Sequence, residues 1–278
     1  MLTGLQHTRG QEQSDRKVRL FRVRTLEIRH VTKSYGRLKA VNDVSFTVIP
    51  RAVCGYLGPN GSGKSTTIKM ITGLLPPSTG TVLYNGQDIR EDLVGYKAMI
   101  GFVPEEPHLY SYLTGWEYLR LVGELRCLPS GPLEKKVNGM LRLFSLDSYK
   151  HAPISSYSKG MRQKILIIAA LLHNPQILIF DEPISGLDIT AALIFRELLA
   201  DLSGEGKIVL CSSHELALVE SVCAEVVILH HGKIVASGSI EEVRQLRQMP
   251  SLEAVFSDLV ASENIEHTAA NILELMEA

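Results

Sequence analysis

Residues Gly58 to Ser65 read Gly-Pro-Asn-Gly-Ser-Gly-Lys-Ser and fit the pattern G-x-x-x-x-G-K-[ST], with the apolar run Val53 to Leu57 before them and a helical pattern after them. Glycines at these positions let successive backbone N–H groups turn inward on phosphate oxygens, and the following helix adds the positive end of its dipole. Lys64 then reaches the β and γ phosphates of a nucleotide, and the Ser65 hydroxyl is a ligand for Mg2+. Other residues have the chemistry to act on such a phosphate chain. The apolar run Ile177 to Phe180 ends in Asp181 and Glu182. Asp181 can hold Mg2+ through its water shell, and Glu182 can polarise the water that attacks the γ phosphate. His214 follows the run Lys207 to Cys211 after Ser212-Ser213, where an imidazole can hydrogen-bond the γ phosphate from the far side. A purely structural histidine is the competing role. Tyr35, in Lys33-Ser34-Tyr35-Gly36, offers a face on which a purine can stack; as a lone tyrosine it reads more simply as core.

These residues need strands that end, and helices that begin, where the chemistry is. Val44 to Ile49 and Val53 to Leu57 read as strands, and Lys64 to Leu74 as a helix stopped by Pro76-Pro77. Thr81 to Tyr84 is a strand running into an Asn85-Gly86 turn, and Ile100 to Val103 is another. Residues 105–160 change to helical spacing, with breaks at Pro129 to Pro132 and at Pro153. The helix expected from Lys159 to His173 has a middle, Ile165 to Leu172, that is apolar all round and so must be buried. Strands follow at Ile177 to Phe180, Lys207 to Cys211 and Val226 to His230, with a helix from Thr190 to Leu202 between the first two. The last strand turns at His231-Gly232 into Lys233 to Ala236. Past Gly238, Ile240 to Arg247 and Leu252 to Ala261 read as helices, the second with an apolar stripe of Leu252, Val255, Phe256, Leu259 and Val260 that must pack on something. This alternation predicts an α/β fold with a largely parallel central sheet.

Composition narrows the function. The chain has 278 residues, 45% hydrophobic and 21% charged, which is the profile of a folded protein. Lys plus Arg number 29 against 30 Asp plus Glu, so the net charge of -1 gives no electrostatic case for a nucleic-acid partner. Cys54, Cys127, Cys211 and Cys223 show no C-x-x-C pair and no zinc-like grouping, and packing by reduced thiols is the role expected of them. The longest strictly apolar run, Ile165 to Leu172, falls short of the roughly 18 residues a bilayer span requires. Gln6 to Arg24 is polar and mixed in charge, unlike a secretory signal, so a cytoplasmic location is expected.

One segment has no place in a generic nucleotide-binding enzyme: Ser156-Tyr157-Ser158-Lys159-Gly160-Met161-Arg162-Gln163, which opens the buried helix. With it, the chain resembles the nucleotide-binding subunit of an ABC transporter from about residue 25 to residue 240, every expected motif standing in order. The resemblance implies a P-loop NTPase fold of ABC type, in which the parallel sheet is joined by an antiparallel β subdomain and a helical subdomain at about 105–160. Residues 1–24 are then a flexible N-terminal tail and 241–278 a helical C-terminal extension. Tyr35 looks like the adenine-stacking aromatic, and Gly58, Asn60, Gly61, Gly63, Lys64, Ser65 and Thr66 like the Walker A contacts. Asp181 and Glu182 look like Walker B, Ser185 to Asp188 like the D-loop, and His214 like the switch histidine. Ser158 and Gly160 look like the signature, whose helix N-terminus is a second anion-binding end; in the family it faces the nucleotide of a second subunit.

Three departures stand out. Glu105 in Pro104-Glu105-Glu106-Pro107 aligns where the family usually carries Gln; it can still bind Mg2+ but adds negative charge. The signature holds Lys159, which either adds positive charge near phosphate or is solvated at the helix start. Ile189 replaces a frequent proline after Asp188.

The function implied is an ATP-binding, ATP-hydrolysing motor subunit, with Mg2+, in which two copies sandwich two ATP molecules as a homodimer. By the same resemblance it sits peripherally on the inner face of the cell membrane and drives transport, in the manner of bacterial ABC-2 exporters, through separately encoded transmembrane permease subunits. A soluble non-transport ABC ATPase and a nucleotide-sensing binding module are the alternatives. Both catalytic elements look complete, and Glu182 speaks against the sensing module.

Overall fold

The computed structural model describes residues 24–260 and 274–276. Period-two alternation within the strands decides the layering. In β3 (Val53–Leu57), β7 (Ile177–Asp181) and β8 (Ile208–Ser212) every residue but the glycine presents a buried side chain, so the sheet they form is covered on both faces. They belong to a six-stranded sheet ordered β10-β9-β3-β8-β7-β6, with β6 at Ile100–Val103, β9 at Glu225–His230 and β10 at Lys233–Ser239. All its neighbours are parallel except the β9–β10 hairpin. A second, antiparallel sheet is ordered β2-β1-β4-β5, from β1 (Leu26–Tyr35), β2 (Leu38–Val48), β4 (Thr79–Tyr84) and β5 (Gln87–Asp88).

Cys54, Tyr56, Ile177, Ile179, Ile208 and Leu210 face this second sheet, sharing a core with its Leu26, Ile28, Val41 and Val44 and with Ile68 and Ile71 of helix α1 (Lys64–Ile71). The short helix α2 (Leu93–Ala98) adds Tyr96 at its edge. Val53, Leu178, Phe180, Val209 and Cys211 face the other way. They meet helix α5 (Lys159–Leu171) and helix α6 (Ile189–Gly204), where Phe180 lies edge-on to Phe195 at 5.0 Å. A third core joins α3 (Gly115–Leu125) and α4 (Ser130–Leu143) to α5 through Leu119, Leu133, Val137, Leu141, Ile165 and Ile168. Helix α7 (Leu216–Val222), α8 (Ile240–Arg247) and α9 (Leu252–Val260) gather on Leu57, Val226 and Ile228, so the C-terminal stripe has found its partner.

Most expected elements are present, with boundary differences that have physical causes. The first helix ends at Ile71 rather than Leu74 because Gly73 adopts φ 68, and the Gly73 and Leu74 N–H groups turn back to the carbonyls of Met70 and Lys69. That pair of bonds closes the helix before the prolines are reached. The strand expected at Lys207 to Cys211 is shifted to Ile208–Ser212, because Ser212 pairs with both Tyr56 and Asp181. The Asn85-Gly86 turn is as expected, with both residues at positive φ, 54 and 81. Cys54 and Cys211 are buried, Cys223 half-buried and Cys127 exposed, all as free thiols. Among the described residues no helix is long and apolar enough to cross a membrane. The expectation for residues 1–24 falls almost wholly outside the described residues, as does that for 261–273.

The start of β6 and the end of α5 are tied together by cations on backbone carbonyls. Arg126 donates to the carbonyls of Lys97 and Ile100, Lys136 to that of Leu172, and Lys207 to that of Pro175. His173 joins them, its Nε2 3.0 Å from the Ile100 carbonyl oxygen. Burial first, and then the neighbouring Arg126, hold its pKa down to about 4 from 6.5. The unfolded chain therefore takes up a proton that the folded chain refuses. The stability this represents is present above pH 6.5 and is lost as pH falls toward 4. His173→Gln, which keeps a donor to Ile100, should flatten the fall in the thermal midpoint across that window by a few degrees, on the order expected for a chain of this size.

Candidate functional site

Four neighbouring parallel strands, β3, β8, β7 and β6, end on the same side of the sheet, and the residues following each end are those singled out for chemistry. Ligands of open α/β sheets bind at this carboxyl edge. From β3 comes the phosphate loop. Gly63 stands at the N-terminus of α1 with φ 108, and a Cβ there would lie 2.5 Å from the Ala40 carbonyl oxygen, so only glycine fits. No side chain caps this helix and its first turn holds no acid, which leaves its N–H groups and dipole end to an anion. Lys64 is buried, its Nζ donating to the carbonyls of Gly58 at 2.7 Å and Pro59 at 3.3 Å. An ammonium has three donors, so one remains for a phosphate oxygen.

From β7 come Asp181 and Glu182, both buried. The Ser212 hydroxyl donates to Asp181 Oδ1 at 2.5 Å and accepts the Glu182 N–H at 3.1 Å, so one side chain serves both acids. Sequence reasoning passed over Ser212; its signal was a hydroxyl at the end of an apolar strand that could pair with the acid-ended one. Glu182 sits at φ 51 directly before a proline, a combination that disfavours itself and is held by tertiary bonds. Its Oε2 takes the His214 Nδ1 at 2.6 Å and the His214 backbone N–H at 3.3 Å. His214 is itself exposed, and its Nε2 is the ring atom left for a phosphate.

From β6 comes Glu105, whose Oε2 lies 3.4 Å from the Ser65 Oγ. The same hydroxyl lies close enough to Asp181 to lower its pKa. Burial raises the Asp181 pKa above the usual carboxylate range; the Ser212 and Ser65 hydrogen bonds oppose this, and the charges of Glu105 and Glu182 add to it. Ser65, Asp181 and Glu105 thus form an all-oxygen, anionic set of the kind that suits a hard divalent cation.

Tyr35 is half exposed at the end of β1, with the Lys33 Nζ 5.6 Å from its ring centroid, so the simpler core reading does not hold. It closes the hairpin whose second strand lies against Gly63. Asn60 and Gly61 are exposed on the loop, and Thr66 is half-buried.

Ser158 and Gly160 stand elsewhere. Among the described residues no hydrogen bond joins them to the phosphate loop, and Gly160 lies against Gly186 and Leu187 instead. Ser158 caps α5 by accepting the Met161 N–H at 3.2 Å. A Cβ at Gly160 would stand 2.3 Å from the Gly186 carbonyl oxygen, so the two turns touch backbone to backbone. Lys159 Nζ donates to Ser185 Oγ at 2.8 Å, Lys164 meets Asp188 at 2.9 Å, and the buried Gln163 donates to the Pro183 carbonyl at 3.0 Å. Lys159 is exposed at the helix start and also binds the neighbouring turn.

An α/β sheet with a phosphate loop on its central strand and an acid pair on the next strand but one defines a P-loop nucleotide-binding protein. A sequence profile for the ABC transporter family matches residues 41–185. The chain is 37% identical over 220 residues to the ABC transporter ATP-binding protein NatA of Bacillus subtilis (strain 168), covering 79% of this chain and 89% of that one. A solved ATP-binding subunit of an ABC transporter superposes with a TM-score of 0.79 at 34% identity, covering 84% of this chain and 98% of the other. The fold is shared with the ATP-binding cassette MJ0796, solved as a dimer in a post-hydrolysis state bound to ADP and Pi, at a TM-score of 0.70 and 24% identity over 77% of this chain and 98% of that one. The chain belongs to the ABC transporter family as an ATP-binding subunit, an ATPase.

Ser212→Ala should cost about 1–3 kcal/mol, because it strands a buried N–H and removes a donor to a buried carboxylate. Chemical denaturation measures that loss. Turnover should fall with it, and Ser212→Thr, which keeps the hydroxyl, should recover part of both.

Proposed function

We propose that this chain hydrolyses ATP in the loop Gly58 to Ser65 with Glu182 as the base acting on water, and that this turnover moves a cargo outward through membrane-spanning subunits encoded separately. The observation that carries the reading is Glu182, buried at a strand end beside the phosphate loop with its carboxylate fixed by His214 at 2.6 Å. A base positioned this way can take a proton from an attacking water. His214 Nδ1 orients the carboxylate while Nε2 meets the γ phosphate. Lys64 and the N–H groups at the start of α1 bind the β and γ phosphates, and Tyr35 takes the adenine.

Ser65, Asp181 and Glu105 are the residues that would hold Mg2+. A cation there supplies charge compensation to the phosphate chain and to the carboxylates around it. A nucleotide-sensing module with no turnover has no use for the Glu182 and His214 arrangement.

In this reading two copies assemble with the Ser158 turn of each against the ATP of its mate, so that the γ phosphates close the dimer and their loss opens it. The dimeric state of the cassette MJ0796 supports such a pairing. Residues 25–240 form the ATPase unit on the inner membrane face, its helices α3 and α4 the part that docks to the permease, with 241–278 as an extension.

Glu182→Gln should lower turnover by about 10²- to 10⁴-fold while ATP remains bound and a dimer accumulates on size-exclusion chromatography. Retained turnover would remove Glu182 from the mechanism. Glu105→Gln removes one negative charge from the proposed cation set, so the Mg2+ concentration for half-maximal turnover should rise severalfold; an unchanged Mg2+ titration would place Glu105 outside it.

A further inference from the structure

The wall behind the phosphate loop is built from the end of β9 and the turn into β10. Leu229 runs so close that a Cβ on Gly58 would stand 2.4 Å from its carbonyl oxygen. The Gly232 N–H donates to the Ser62 carbonyl at 2.9 Å, and the Gly232 carbonyl accepts the Asn42 N–H at 2.8 Å. The loop is thereby held at its first glycine and again at Ser62, two residues short of Lys64.

This wall is held in turn from the C-terminal side. His230 Nδ1 donates to the Leu259 carbonyl in α9 at 3.1 Å. Leu252 and Val255 of α9 are fully buried in one core with Ile228 of β9 and with Leu57, the residue directly before Gly58. The start of α9 is fixed as well, the Leu252 N–H donating to the Glu220 carboxylate at 2.5 Å. A run of contacts thus leads from Leu259 through His230 and Gly232 to Ser62.

We infer that helix α9 positions the phosphate loop for ATP, by fixing the β9–β10 turn through His230 and its apolar stripe. The inference rests on ATP binding in the loop Gly58 to Ser65. Gly61 and Gly63 give that loop backbone freedom at φ 76 and φ 108, and an anion site made of N–H groups binds well only if they already converge. Backing from β9 and the turn removes that freedom in advance. His230 touches no reacting atom in this arrangement; it is a positioning residue, and its effect belongs in affinity rather than in the chemical step.

Titration of the full chain with a fluorescent ATP analogue, together with steady-state ATPase kinetics, tests this. His230→Leu should raise the dissociation constant and the KM for ATP by about 3- to 10-fold, the range one lost hydrogen bond spans, with kcat within about twofold of the wild type. His230→Asn, whose amide can stand in for the Nδ1–H donor, should bind within about twofold of the wild type. Amide exchange at Gly232 should speed up in the Leu variant while that of Leu133 to Leu141 in α4 stays unchanged. Should His230→Leu not fold, Phe256→Ala on the half-buried side of α9 is measured in the same way. Wild-type affinity in His230→Leu, or in Phe256→Ala where the Leu variant does not fold, overturns the inference, as does an Asn variant as weak as the Leu variant. A wild-type chain that fails to bind the analogue overturns the site reading itself, and the brace with it.

Discussion

In-register parallel pairing of β3, β8, β7 and β6 is the constraint on which everything else depends. Tyr56 and Asp181 both pair with Ser212, and Val103 pairs with Phe180, so the four strands run out along one edge. A strand shifted by one residue would turn its next side chain to the opposite face. For β7 such a slip would move Asp181 away from Ser212 and bury a carboxylate without its donor, which costs far more than any single apolar contact returns. The alternating cores on the two faces of the sheet enforce the register. Ile177 and Ile179 must face one side and Leu178 and Phe180 the other, and that apolar pattern delivers the acids to the edge.

The edge so formed concentrates negative charge. Glu105 and Glu182 lie close enough to Asp181 to raise its pKa, and Asp181 and Glu182 are both buried. Ionised carboxylates tolerate this only when hydrogen-bonded, and the donors come from several sides: Ser212 from β8 to Asp181, His214 from the loop after β8 to Glu182, and Ser65 from α1 to Glu105. No donor in this set is adjacent in sequence to the acid it serves. The strained backbone of Glu182 belongs to the same arrangement. A residue at positive φ before a proline persists because its N–H and its carboxylate are both bonded, and because the Pro183 carbonyl is bonded by Gln163.

Local information in the chain goes a long way. The phosphate loop, the acid-ended strand, the buried α5 and the Asn85-Gly86 turn are all short-range patterns, and each is where the residues point. The helix Ile240–Arg247 begins and ends as its spacing predicts. What escapes is contact between residues distant along the chain. Ser212 becomes functional only once β8 lies beside β7. Lys159 is ambiguous until α5 brings it to Ser185. His230 is an unremarkable strand-end residue until α9 folds back and presents the Leu259 carbonyl. The misplaced end of α1 is the exception, for Gly73 is itself a local signal; the two prolines beyond it drew the boundary too far.

Helix α5 gives these separate pieces a common mechanical part. Its first two turns carry Ser158 and Gly160, the Lys159 and Lys164 side chains that hold Ser185 and Asp188, and the Gln163 that holds Pro183. Its later turns are buried between the third core and the face of the sheet that carries Phe180. A helix packed on both sides moves as a body or not at all, because close-packed interiors do not absorb small displacements. The turn at Ser158 is thus joined, through less than two helical turns, to the residue next to the Glu182 carboxylate. The backbone contact of Gly160 with Gly186 leaves no slack in that path, since a single added methyl would not fit there. The turn at Ser158 and the acid at Glu182 are in this way tied into one packed unit, although the two belong to different strands and loops of the chain.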